Sequence, residues 1–278
     1  MCAPPTPELL ILDEADSTNT YAKNHFDELP DGSLVVARHQ TAGRGRRGRV
    51  WISPPGTNFA GTVLLKRLED GFHAGCLLGL AALSVVRELA PEVPAYLKWP
   101  NDIYVEERKL AGILSESARF EHGRITGVVS GVGVNLNLPR EVLATIDQPA
   151  TSLLAETNRE FNLDFFAKKL AEQLIRYYII YLKSAGAVLD EWKKANLLVG
   201  EPLEVVDSHG DRHAGIFRAI LDDGSMEFEE SGAKKTFLCG DVKIRRESID
   251  WWRVNQKSLD FSRSYKQPKE ESIKWKVK

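Results

Sequence analysis

Cysteine is scarce in this chain, and that scarcity sets the first limits. Cys2, Cys76 and Cys239 are odd in number, lie far apart and lack the close spacing of metal ligands, so neither a disulfide framework nor a zinc site is indicated and a reducing cytoplasm is expected. Net charge is also missing: 37 Lys and Arg against 39 Asp and Glu leave a formal −2. That balance argues against a dedicated DNA or RNA binder, which carries a basic domain or stripe and owes much of its affinity to phosphate neutralisation. No apolar run reaches the roughly 20 residues that a bilayer span needs; the longest, Ala74 to Val86, reads as a buried helix, and no membrane partner is expected. The early run Leu9-Leu10-Ile11-Leu12 has no basic segment before it and stops at Asp13, too short for a signal peptide. Internal repeats and low-complexity blocks are absent as well. What remains, 43% hydrophobic and 27% charged, is the composition of an ordinary soluble protein able to bury a full core.

Positive charge is instead concentrated at one place. Gly43-Arg44-Gly45-Arg46-Arg47-Gly48-Arg49 puts four guanidinium groups and three glycines into one short loop. Guanidinium forks match phosphate and carboxylate oxygens bidentately, and glycine lets the main chain approach a ligand closely. Like charges about 4 Å apart repel by roughly 1 kcal/mol even in water, so the loop is expected to be mobile when empty and ordered by an anionic ligand.

The pattern around the loop predicts an α+β fold. Leu9 to Leu12 reads as a strand, followed by a helix from Ser17 or Thr18 towards Leu29 and a turn at Pro30-Asp31-Gly32. Strands over Leu34 to Arg38 and Asn58 to Leu65 bracket the arginine loop. Beyond the buried helix come Tyr96 to Trp99, a hairpin of Ile103 to Val105 against Leu110 to Ser115, and a long strand from Ile125 to Leu136, together a mixed, mainly antiparallel sheet. Asp164 to Leu182 has amphipathic helical spacing, with Phe165, Phe166, Leu170, Leu174, Ile175 and Tyr178 facing the sheet, and a second helix spans Ala187 to Asn196. From Gly200 the pattern switches to short strands, Leu203 to Val206, His213 to Ile220, Ser225 to Glu229 and Thr236 to Cys239, which suggests a small barrel closing near Gly240-Asp241-Val242. The expected domains are 1–198, 199–248 and an extension, 249–278, of open role.

About fifty residues after the arginine loop comes Lys98-Trp99-Pro100-Asn101-Asp102-Ile103, then Lys109-Leu110-Ala111-Gly112-Ile113-Leu114. With Ser17-Thr18-Asn19, Gln40, the glycine and arginine pattern through Trp51, and Gly131-Val132-Gly133-Val134-Asn135, the chain resembles the biotin protein ligases over most of its length, with the motifs in that family's order. The resemblance implies a class II synthetase-like biotin/lipoate ligase fold with a small SH3-like carboxy-terminal β-barrel. It also implies activation of biotin by ATP and Mg²⁺ to biotinyl-5′-AMP, then transfer to a lysine of a biotin carboxyl carrier protein domain. The first strand starts so early that the amino-terminal DNA-binding domain of bifunctional ligases is not expected, and a monofunctional enzyme is; a homodimer is left open.

Chemistry suggests roles for the matching residues. Biotin carboxylate and ATP α-phosphate are both anions, so their encounter needs positive charge, which Lys109, Arg44 and Arg46 supply. Lys109 is the choice for bridging carboxylate and phosphate, because a compact ammonium on a flexible stem can follow the charge. The ureido ring of biotin is neutral and calls for donors and acceptors: the resemblance assigns it Ser17, Thr18, Asn19 and Gln40, with Gly43, Trp51 and Gly112 beside the rest of biotin. The nucleotide falls to Arg46, Arg47, Arg49, Trp51, Asn101, Asp102, Lys109 and Asn135, Asp102 also serving Mg²⁺. Two other readings stand beside this one: a lipoate or octanoate ligase or transferase of the same fold, and a nucleic-acid-binding module using the arginine loop and the aromatic tail from Trp251.

Overall fold

A computed structural model of the chain describes residues 7–207, 209–238, 241–244 and 276–277. These fall into two compact units dividing after Ala195.

The first unit is a mixed sheet with helices on both faces. Its strands are β1 (Glu8–Ala15), β2 (Leu34–Gln40), β3 (Phe59–Leu65), β4 (Ala95–Lys98), β5 (Asp102–Val105), β6 (Arg108–Glu121) and β7 (Arg124–Val134). Their order is β1-β2-β3-β7-β6-β5-β4, parallel between β1 and β2 and antiparallel elsewhere. A two-residue strand, Lys276–Val277, pairs parallel to the outer edge of β1. The rest of the expected extension from Trp251 lies outside the described residues.

The helices divide between the two faces. Helix α1 (Thr18–Asn24) lies on the first face, where Ala22 and Phe26 pack on Val35, Leu64 and Val129. Gly127 makes this approach feasible, since a Cβ there would lie 2.4 Å from the Phe26 ring. On the opposite face, α2 (Gly71–Leu89) is buried along most of its length and packs with α5 (Leu163–Lys183) and α6 (Ala185–Ala195). Phe59 of β3 meets Phe166 of α5 at 4.9 Å between ring centroids. Among the described residues α2 alone is long and apolar enough to cross a bilayer, but its apolar surface is already covered inside the core.

Several expectations need correction. The first helix stops at Asn24 rather than near Leu29, because Phe26 turns inward to the α1 cluster. β6 continues six residues beyond the predicted Ser115, carried by pairing with β7 rather than by apolar residues. Phe165 is 49% exposed and lies off the packing stripe of α5. Two short helices were not foreseen: α3 (Arg140–Leu143) and α4 (Leu153–Thr157), the latter capped by Ser152 accepting from Ala155 N–H.

The second unit contains β8 (Pro202–Val206), β9 (Arg212–Ile220), β10 (Met226–Glu230), β11 (Ala233–Phe237) and β12 (Asp241–Ile244). They form one antiparallel sheet in the order β11-β10-β9-β8-β12 around Leu203, Val205, Phe217, Met226 and Phe228. Gly215 is required there, since a Cβ would come within 2.1 Å of Glu229 O. Cys239 and Gly240, part of the expected closing segment, lie outside the described residues.

Candidate active site

Strand pairing organises the first face into rows. Lys98, Asp102, Gly112, Gly133, Ala60 and Ala37 align across β4, β5, β6, β7, β3 and β2. Two residues along, on the same face, lie Leu114, Gly131, Thr62 and Val35, and two further on Glu116, Val129 and Leu64. Neighbouring rows are about 7 Å apart and neighbouring strands about 4.8 Å, so the face offers a shallow grid on which polar groups hold fixed positions.

The first row is floored by glycine because an indole lies on it. A Cβ at Gly133 would meet Trp51 Cε2 at 2.4 Å, and one at Gly112 would meet Trp51 Cζ3 at 3.3 Å and Lys109 Nζ at 3.1 Å. Lys109 Nζ lies 2.7 Å from Asp102 Oδ1 and 6.0 Å from the centre of the Trp51 ring. That carboxylate oxygen makes no aligned hydrogen bond, so the contact is one of charge, and Trp51 Nε1 is a buried donor without a partner. The Lys109 backbone is fixed on both sides: its N–H donates to Pro149 O and its carbonyl accepts from Thr151 N–H, each at 2.9 Å.

The arginine loop folds over this row as a small hairpin. Arg44 bridges to Val50, Gly45 N–H donates to Arg49 O at 2.7 Å, and Trp51 N–H donates to Gly43 O at 3.0 Å. At its tip Arg47 and Gly48 have φ of 55° and 73°, the left-handed region in which glycine is unstrained. Gly43 is buried; a Cβ there would press on Trp51 O and on Gln40 Nε2. Arg46 Nη1 donates to Asn101 Oδ1 at 2.8 Å, and Asn101 Nδ2 donates to Ile113 O at 2.6 Å, which ties the loop to the residue beside Asp102. Arg44 Nη2 donates to Thr20 Oγ1 at 3.1 Å and lies 3.7 Å from Glu116 Oε2. Arg47 and Arg49 are exposed.

The second row meets the start of α1. Thr18 N–H donates to Gln40 Oε1 at 2.8 Å, and the hydroxyls of Thr18 and Thr62 are 2.8 Å apart. Thr62 Oγ1 is 2.7 Å from Asn19 Oδ1, and Asn19 Nδ2 donates to Leu114 O at 3.0 Å and Glu116 Oε2 at 2.7 Å. Ser17, Thr18 and Asn19 are all buried, yet Ser17, although at the N-cap, makes no capping bond with its hydroxyl. Burial raises the Glu116 carboxyl, but hydrogen bonds from Asn19 and Lys23 and the charges of Lys23 and Arg44 outweigh it, holding the group below its ordinary value.

The structure thus gathers Thr18, Asn19, Gln40, Gly43, Arg44, Arg46, Trp51, Asn101, Asp102, Lys109 and Gly112 around one face. It does not bring Asn135 there as a free group. That side chain is 3% exposed: its Oδ1 accepts from Asn58 at 3.2 Å and its Nδ2 donates to Thr151 O at 2.9 Å, so it braces the chain leaving the loop instead of facing a nucleotide. Lys98 shares the first row but is buried, its ammonium 4.1 Å from the Tyr104 ring centre. Sequence reasoning missed Thr62, Thr20, Lys23 and Glu116. The available signal was polarity out of place: Thr62 inside an otherwise apolar strand, and Glu116 in step with Gly112 on alternate residues of β6.

Among the described residues no cluster of three or more metal-ligating side chains occurs, so an all-protein metal cage is not built. Asp102 offers a single carboxylate, which is what a magnesium ion carried in on phosphate oxygens requires.

Comparison with known proteins places these features in context. A profile described as the biotin/lipoate A/B protein ligase family matches residues 12–135. The chain is 34% identical over 240 residues to a biotin--[acetyl-CoA-carboxylase] ligase of Paracoccus denitrificans, covering 84% of this chain and 98% of that one. It is 32% identical over 245 residues to the bifunctional ligase/repressor BirA of Escherichia coli K12, covering 84% and 73% respectively. Among solved structures, the biotin protein ligase of Aquifex aeolicus in complex with biotin and ATP superposes with a TM-score of 0.71 at 26% identity, covering 86% of this chain and 99% of that one.

Proposed function

Because the chain belongs to the biotin/lipoate A/B protein ligase family, we propose that it is an ATP-dependent, AMP-forming biotin--protein ligase. A biotin carboxylate oxygen attacks the α-phosphate of ATP, pyrophosphate leaves, and the resulting biotinyl-5′-AMP is attacked by a lysine amine of a carboxyl carrier domain, releasing AMP and leaving an amide. The observation that carries this reading is the Lys109–Asp102 pair, 2.7 Å apart, beside the Trp51-covered glycine row of the sheet face that also presents the Thr18, Asn19, Thr62 and Gln40 network. From β3 to β5 is three strand steps, about 14 Å at ordinary spacing, which suits a molecule with a polar ring at one end and a carboxylate at the far end of a chain.

In this reading Thr18, Asn19 and Gln40 hold the neutral ureido ring. Lys109 leaves Asp102 to bridge the carboxylate and the α-phosphate, placing a positive charge where the negative oxygens develop. Arg44 and Arg46 hold the phosphate side, Asn101 positions Arg46, and Trp51 is the apolar wall. Mg²⁺ bound to the nucleotide would offset phosphate charge, with Asp102 its protein ligand once Lys109 has turned away. Arg47 and Arg49 supply long-range attraction for ATP. The hairpin is the lid that keeps water from the mixed anhydride until the acceptor lysine arrives. The second unit we assign to the SH3-like domain of this family, and the compartment to the cytoplasm.

The same fold serves lipoate, but a dithiolane ring offers nothing to the hydroxyl and amide groups of Thr18, Thr62, Asn19 and Gln40, whereas a ureido ring offers a carbonyl and two N–H groups. Incubating the protein with MgATP, a biotin carboxyl carrier domain and either biotin or lipoate tests the proposal. A biotinyl amide on one lysine of the carrier, with no lipoyl product, is expected. Carrier mass unchanged by biotin, or increased by lipoate alone, would overturn it.

A further inference from the structure

Glu116 lies a row beyond the groups assigned to the ureido ring, and one of them, Asn19, donates to it directly. Its Oε1 takes the Lys23 ammonium at 2.9 Å and its Oε2 takes Asn19 Nδ2 at 2.7 Å, with Arg44 Nη2 3.7 Å away. A carboxylate only accepts, so it fixes which way the Asn19 amide faces. The nitrogen must point to Glu116 and Leu114 O, and the oxygen must point to Thr62. Thr62 has one hydroxyl proton. Two acceptors lie within reach of it, Asn19 Oδ1 at 2.7 Å and Thr18 Oγ1 at 2.8 Å, and the Thr18 hydroxyl has its own acceptor in Gln40 Oε1 at 3.1 Å. Gln40 Oε1 accepts from Thr18 N–H at 2.8 Å, which turns Gln40 Nε2 away from the helix and towards Gly43 at the base of the lid.

Resting on the biotin reading above, we propose that Glu116 is a positioning residue: its charge holds the Asn19 amide, so that Asn19 keeps its oxygen on Thr62 and the relay Asn19–Thr62–Thr18–Gln40 stays in place for the ureido ring. A glutamine at 116 would keep the volume but lose the charge, leaving Leu114 O as the one firm acceptor for Asn19 Nδ2 and the Asn19 oxygen less tightly held on Thr62. Gly131 shows how little tolerance the relay has, since the Asn19 oxygen lies 2.1 Å from where a Cβ would be.

The test measures biotin Kd, KM for biotin and for ATP, and kcat in wild type, Glu116→Gln, Asn19→Ala and the double variant. Hydrogen bonds to a charged partner set the scale of the effect, so Glu116→Gln is expected to weaken biotin about tenfold, leave KM for ATP within about twofold, and lower kcat far less than it raises KM for biotin. In the Asn19→Ala background, Glu116→Gln should have no further effect on biotin, and Glu116→Asp should recover part of the wild-type affinity. Unchanged biotin affinity in Glu116→Gln, or an equal loss in both backgrounds, would overturn the inference. Should Glu116→Gln fail to fold, Thr62→Val cuts the relay one link on while leaving every charge in place. A loss like that expected of Glu116→Gln is then predicted, and undiminished affinity in Thr62→Val overturns the relay. If wild type forms no biotinyl-5′-AMP, the ligase reading itself fails; if it does and Glu116→Gln binds biotin normally, this inference alone fails.

Discussion

The glycines of the site are set by what lies on them, and Gly131 is the sharpest case. A methyl group there would overlap Asn19 Oδ1 and crowd Thr62 Oγ1 at 3.1 Å, and Asn19 is buried, pinned at its other end by Leu114 O and Glu116. Gly131→Ala is therefore expected to cost about 1–3 kcal/mol in urea unfolding through overpacking, and to weaken biotin more than ATP. A variant with wild-type stability and biotin affinity would show that Asn19 is not held there. The motif glycines, Lys109 and the loop arginines were legible in the sequence because their residue types are unusual for their surroundings. Thr62 and Glu116 were not, because a single threonine or glutamate on a strand acquires meaning only once register decides which face it shares and with whom.

At the scale of elements, the arginine hairpin is the part whose stability depends most on its contacts. Four guanidinium groups repel one another, and its footholds on the sheet include Arg46 on Asn101, Arg44 on Thr20 and Glu116, and Trp51 on the glycine row. Arg46→Gly removes one foothold without touching Lys109. It is expected to form adenylate but release it, raising biotin labelling of bystander proteins severalfold over wild type in a streptavidin blot; equal labelling would remove Arg46 from the lid. Most strands could be read from alternation and apolar runs, whereas element ends could not. β6 outruns its apolar stretch because β7 pairs with its polar half, and α1 ends early because Phe26 has a better place inside. Helices as short as α3 and α4 give too few turns for periodicity to register.

For the whole molecule, charge placement governs behaviour with pH. Glu116 and Asp70 are both held below their ordinary values: burial raises each, but Asn19, Lys23 and Arg44 outweigh it at Glu116, and His73 does so at Asp70. A depressed carboxyl binds fewer protons folded than unfolded, so its contribution to stability is complete above the unfolded value, about pH 4, and is lost as pH falls through the folded one. The melting temperature should be level from pH 7 to about pH 5 and drop below about pH 4, with a shallower drop in Glu116→Gln. In the proposed reaction Lys109 supplies charge where carboxylate and α-phosphate join. The direct measurement is biotinyl-5′-AMP formed in a single turnover with biotin and MgATP, followed by mass spectrometry, in wild type and in Lys109→Ala. Loss of a preorganised charge predicts adenylate formation slowed by about a hundredfold or more in the variant at saturating substrates. Adenylate at the wild-type rate in Lys109→Ala, or none in wild type, would contradict it.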